Sequence, residues 1–198
     1  MALSEAKLRK EIKNVFKKGR ELRNDKPKYS KNAIAQFFAA AIVDYASDAE
    51  IQIPAPSTLL TTTPTPTVGI PDVASSGQKL KVANPQPGKA SLASSIAASF
   101  NAMDVGMAIV TPAVVAYAST LFSFKNASGT ITATGVPVMA IPPVLAPALA
   151  VGAAKGAEDD VIKAMATIIH ISFKSTLFTG TGNIITPPAA GPVVGTLM

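Results

Sequence analysis

The single histidine of this 198-residue chain, His170, sits between Ile169 and Ile171, about three helical turns downstream of the acidic run Glu158, Asp159 and Asp160. Histidine and carboxylates are the side chains from which general acid–base catalysis and many metal sites are built. The chain has no cysteine, so disulfides and thiolate metal sites are excluded and His170 has no cysteine with which to share a metal. Three successive acids are also what the positive end of a helix dipole favours. A packing role for His170 and a helix-starting role for the acids are therefore the preferred readings. "NPQPGKAS" has the look of a phosphate-binding loop, but that loop needs Gly five residues before Gly88 and Ser or Thr after Lys89. Ala83 and Ala90 stand there. "TGTGN" at 179–183 follows a predicted helix, whereas a dinucleotide-binding glycine loop follows a strand and opens a helix. Its glycines read better as a helix stop and a turn into a strand. No Gly-x-Ser-x-Gly nucleophile elbow is present. No catalytic residue, cofactor or metal is expected.

Charge is the other chemistry on offer, and it is unevenly placed. Residues 1–32 hold 11 of the 18 Lys and Arg residues, leaving 7 basic and 8 acidic residues for the other 166. A soluble domain is ordinarily about one-quarter charged. A surface with so few charges is expected to be covered by something else. The basic segment reads as a helix with Leu8, Ile12, Val15, Phe16, Gly19 and Leu22 along one face and Lys10, Lys13, Lys17, Lys18 and Arg20 around the rest. That cationic face suits solvent, a neighbouring subunit, an acidic protein or, as a nucleic-acid-contacting alternative, phosphate. Phe16 and Tyr29 are its only aromatic company, which offers little for base stacking.

The remaining elements follow from periodicity and punctuation. Ser4 suits an N-cap and Pro27 a stop for the first helix, and Ser30 caps a second with Ile34, Phe38, Ala41, Ile42 and Tyr45 on one side. Between residues 51 and 88 proline recurs at 54, 56, 64, 66, 71, 85 and 87, so this stretch is expected to be an extended arm. Gly88 opens a third helix with Leu92, Ile96, Phe100, Met103 and Met107 on one face. Thr111-Pro112 opens a fourth, ending near Phe122, and residues 156–176 form a fifth. The expected fold is α+β. It comprises a small bundle of about five helices (two in 1–50, the rest in a core at 89–178) with extended arms at 51–88, 126–150 and 179–198. The start of the chain lacks the apolar stretch of a secretory signal. Residues 105–124 are uncharged and long enough to span a bilayer, which keeps a membrane-associated alternative open. The prolines of the other uncharged runs argue against spanning, and no membrane partner is expected.

Three segments share a pattern. A helix ends in "DYAS" at 44–47, "AYASTLF" at 116–122 and "SFKSTLF" at 172–178, and Thr/Gly/Pro-rich extended sequence follows each time. The aromatics Tyr45, Tyr117 and Phe173 keep the same two-residue offset from Ser47, Ser119 and Ser175. The spacing, 72 and then 56 residues, is irregular, so this is an internal repeat but no solenoid. Leu121 and Phe122, like Leu177 and Phe178, are expected to pack the junction where helix hands over to strand. Ile184 and Ile185 lie in the strand beyond. These residues are candidates for contact with a neighbour.

The basic start "MALSEAKLRKEIKNVF", the Ala-rich "AIAQFFAAAIVDYASDAEI" and the arm "TGTGNIITPPAAGPVVG" resemble, in texture and without a diagnostic motif, small virion structural proteins of tailed bacteriophages. The likeness is greatest to tail, baseplate or neck components. The resemblance implies a non-enzymatic subunit of a ring-like homo-oligomer, assembled in the host cytoplasm, that contacts other virion proteins through extended segments. It implies no catalytic residues.

Overall fold

The computed structural model describes residues 3–25, 31–52, 79–83, 88–101, 114, 117, 122–125, 131–138, 158–184 and 189–196. Four helices and six strands lie there: α1 (Glu5–Asp25), α2 (Lys31–Ala46), β1 (Glu50–Gln52), β2 (Lys79–Val82), α3 (Lys89–Asn101), β3 (Phe122–Lys125), β4 (Ile131–Val138), α4 (Glu158–Lys174), β5 (Leu177–Ile184) and β6 (Ala189–Thr196). The fold is α+β. Within the expected fourth helix, short of its end near Phe122, only Val114 and Tyr117 are described, both helical and buried. Most of 105–121 falls outside the described residues, as do 53–78 and 139–157. Among the described residues, no helix is long and apolar enough to cross a membrane.

Local chemistry explains the helix ends. Ser4 accepts a hydrogen bond on its Oγ from the Lys7 backbone N–H at 3.3 Å, which caps α1. Gly88 takes φ 88°, a left-handed conformation that disfavours other residues, and its carbonyl accepts the first helical bond of α3 from Leu92. α1 lies between α2 and α4, and α3 packs on α2. Leu8, Ile12 and Val15 of α1 meet Ile34, Phe38 and Ile42 of α2 and Ile162, Met165 and Ile169 of α4 in one core. Gly19 leaves room for Ile34, and Phe16 meets Phe38 edge-on at 6.0 Å.

All six strands form one antiparallel sheet in sequence order, a meander whose two end strands, β1 and β6, approach each other without pairing. Its concave face closes the core. Ile51, Leu80, Phe124 and Phe178 are fully buried, and Phe124 meets Phe178 edge-on at 5.0 Å. Lys79, Lys81, Lys125, Thr134, Thr179 and Thr181 alternate with them on the exposed side. β2, β4 and β6 lie within segments expected to be extended, whereas β3 (Phe122–Lys125) lies ahead of the expected arm at 126–150 and takes in Phe122, the expected end of the fourth helix. The partners differ from expectation, because the described parts of the arms at 126–150 and 179–198 pair with each other within the chain. An eight-residue strand pair in register satisfies its own backbone groups, which a lone arm laid along a neighbour would leave to that neighbour.

Candidate functional site

The repeated helix ends form the same structure at the two places where both are described. Ser47 N–H bonds the Val43 carbonyl and Ser175 N–H that of Ile171, and each helix then tightens, Asp48 N–H to Tyr45 O and Thr176 N–H to Phe173 O. Each serine Oγ donates to the carbonyl three residues back, Ser47 to Asp44 and Ser175 to Ser172 at 3.0 Å. The hydroxyl thus covers a carbonyl left over at the helix end and frees the chain to turn into β1 or β5. Tyr45 and Phe173, the aromatics of the two copies, meet edge-on at 5.4 Å.

That packing decides what the candidate residues can do. Tyr45, Tyr117, Phe173 and Phe178 are buried and belong to the core, so they are not a contact surface. Phe122 lies in β3 opposite Gly135 and Ile184 ends β5, while Leu121 and Ile185 fall outside the described residues. Leu177 is well exposed, at 44%. On α1, Lys13 pairs with Asp159 at 3.0 Å, Arg20 pairs with Glu158, Lys17 lies 4.0 Å from Glu21, and Lys18 sits over the Phe37 ring. Lys10 is exposed. The expected cationic face is thus partly spent within the chain, where the acids that start α4 meet α1. Lys13 holds the Asp159 carboxyl below the ordinary carboxylate range. These pairs are solvent-exposed and screened by water, so they contribute little to stability.

His170 is half-buried and packs edge-on against Tyr45. Its Nδ1 lies 2.6 Å from the Tyr45 hydroxyl, at the junction of α2 and α4. Burial, with Glu5 and Asp48 nearby, raises the Tyr45 pKa well above its ordinary value, so the phenol keeps its proton and donates it. The imidazole then carries its own hydrogen on Nε2. Thr167, one turn back, donates to Glu5 of α1 at 2.6 Å. Sequence spacing could not have paired residues 125 positions apart. Burial lowers the His170 pKa, Glu5 raises it and Lys174 lowers it, with a net shift downward from 6.5. The unfolded chain therefore binds a proton here more readily than the folded one, and stability falls as pH drops below about 6.5. His170→Asn keeps an acceptor near Nδ1, and its thermal midpoint is expected to change less between pH 7.5 and 5.5 than that of the wild type (about a unit either side of an unperturbed histidine).

Backbone geometry locates the more consequential feature. The Ala83 N–H donates to Ser123 O, so Ser123 points its backbone groups at β2. In antiparallel strands successive residues point their N–H and C=O to alternate sides. Phe124 therefore faces β4, Ala133 and Gly135 face β3, Thr134 and Val136 face β5, and Phe178, Gly180 and Gly182 face β6, given the registers. On β6 this turns Gly191, Val193 and Gly195 toward β5 and leaves Ala190, Pro192 and Val194 pointing outward. Pro192, which has no N–H, stands where no β5 bond is lost. Pro137 likewise points past the end of β3. The outer edge of β6 keeps the carbonyls of 190, 192, 194 and 196 and the amides of 190, 194 and 196. Among the described residues, no strand pairs with it.

Among the described residues, no cluster of three potential metal ligands occurs. A cavity of about 1050 Å³ between α2 and α3 is lined by Asn32, Gln36, Phe37 and a series of alanines, and gathers no acid–base pair. Comparison with protein families, characterised proteins and solved structures returns no match.

Proposed function

We propose that the chain is a non-enzymatic structural subunit of a larger assembly, of the phage tail, baseplate or neck kind that its sequence resembles. Neighbouring copies would be joined by strand addition at the outer edge of β6. The observation that carries this reading is the row of backbone groups at Ala190, Pro192 and Val194 on an eight-residue strand, which β1 approaches but with which no strand pairs among the described residues. Such an edge is a template for another extended chain, and main-chain bonds supply the affinity. Pro192 removes one donor from the row and leaves the rest. The scarcity of charge after residue 32 supports the same reading, because a surface of that composition is kept from water by a neighbour.

The strand parity supplies a selective test. Ala190→Pro and Val194→Pro together remove two of the three outward amides, leaving that of Thr196 at the strand end, and spare every bond to β5. The double variant is expected to keep the wild-type circular dichroism and thermal midpoint while losing the oligomer that mass photometry detects in the wild type. A wild-type chain that stays monomeric at high concentration, or a double variant that assembles equally well, would overturn the proposal.

A further inference from the structure

Residues directly opposite on antiparallel strands hold their Cβ atoms about 5 Å apart, and like charges there destabilise the pair. Lys81 of β2 and Lys125 of β3 are such a pair, and both are exposed. Lys79 stands two residues before Lys81 on the same exposed side. The carboxylate at hand is that of Glu50, opposite Lys81 on β1, 3.7 Å from the Lys81 ammonium and 4.0 Å from that of Lys79. It is nearly buried and shared between two lysines. Among the described residues no carboxylate lies within 4.0 Å of Lys125. The face therefore carries surplus positive charge. The same surface continues in hydroxyls, since Thr132 is opposite Lys125 and Thr134 is opposite Ser123.

Like charges set opposite each other, with no carboxylate near Lys125 among the described residues, break a local rule of strand pairing, and such breaks occur at functional positions. We propose that the outer face of β2–β4, centred on Lys79, Lys81 and Lys125, docks an extended acidic segment of a partner protein. Side chains on one side of a strand repeat at about 7 Å, and carboxylates at alternate residues of an extended peptide repeat at the same interval. The two rows match in spacing and sign, and Ser123, Thr132 and Thr134 supply donors beside them. Nucleic acid fits less well, because bases stack on aromatic or Arg side chains and the described residues of this face include neither. The surface is separate from the β6 edge and does not depend on strand addition there.

The test uses the full chain and a labelled peptide of alternating Glu and Thr, followed by fluorescence anisotropy. Binding at low salt is expected to weaken about tenfold in Lys125→Gln and again in Lys81→Gln, as for loss of a close charge pair, and to be unchanged in Lys10→Gln on α1. Without peptide, Lys125→Gln should melt no lower than wild type, because removing one of two opposed charges relieves repulsion. Three results would overturn the proposal: no binding by the wild type, equal binding by Lys125→Gln, or tighter binding of an oligothymidine with the same lysine dependence.

Discussion

Gly180→Ala is expected to destabilise the protein by about 3 kcal/mol, the upper end of what a single added methyl group does in a packed interior. Gly180 of β5 stands directly opposite Gly135 of β4. A Cβ at 180 would press on the Thr134 carbonyl oxygen and lie 2.7 Å from the Gly135 Cα and 2.9 Å from the Phe178 ring. Gly135→Ala meets the mirror situation, with the Thr179 carbonyl, the Gly180 Cα at 2.6 Å and the same ring. Two of the three obstacles are backbone, so a rotamer change cannot clear them and the strands must part. These are bonded by their neighbours in the longest ladders of the sheet, so parting them strains the ladder on both sides. The expected loss appears in urea denaturation as a lower midpoint with an unchanged slope. The double variant should lose less than the sum of the two, since strands already parted by one methyl accommodate the second. Thr179→Ala, next door on the exposed side, should change stability by less than about 0.5 kcal/mol.

Phe178→Ala is expected to destabilise by about 4 kcal/mol, in the range for emptying a buried phenylalanine site. The ring is fully buried, lies over the Gly135–Gly180 pair and meets Phe124 edge-on. The glycines beneath cannot collapse into the space, having no side chains to move, so the cavity persists. Phe178→Leu should recover about half of the loss by filling part of the volume, at the price of the edge-on aromatic contact. Both variants are measured by chemical denaturation, and a small loss in Phe178→Ala would mean that the concave face is not the packed layer described above.

Much of the helical half was legible in the sequence. The apolar spacing of Leu8, Ile12 and Val15, the Ser4 cap, the Gly88 start and the acidic first turn of α4 are local signals, each acting within a turn or two of helix, and each stands where it was expected. The helix-to-strand repeat was legible for the same reason, since Ser47 and Ser175 act on carbonyls three residues away. The site was far less so. Tyr45, Phe173 and Phe178 were expected to meet a neighbour and instead fill the core, because an aromatic at a helix end gives no sign of whether its own chain will cover it. Lys13 and Arg20 find their acids 146 and 138 positions away on α4.

By itself the sequence determined that α1, α2, α3 and α4 would be helical, where α1, α3 and α4 start, and that charge is concentrated before residue 33. Those properties rest on hydrogen bonds and φ preferences between near neighbours. Tertiary structure alone decided which extended segment pairs with which, in what register, and so which backbone groups face outward at Ala190 and Val194 and which lysines stand opposed at 81 and 125. Register depends on contacts between residues far apart in the chain, and a slip of one position exchanges the buried and exposed sides of a strand without changing its composition.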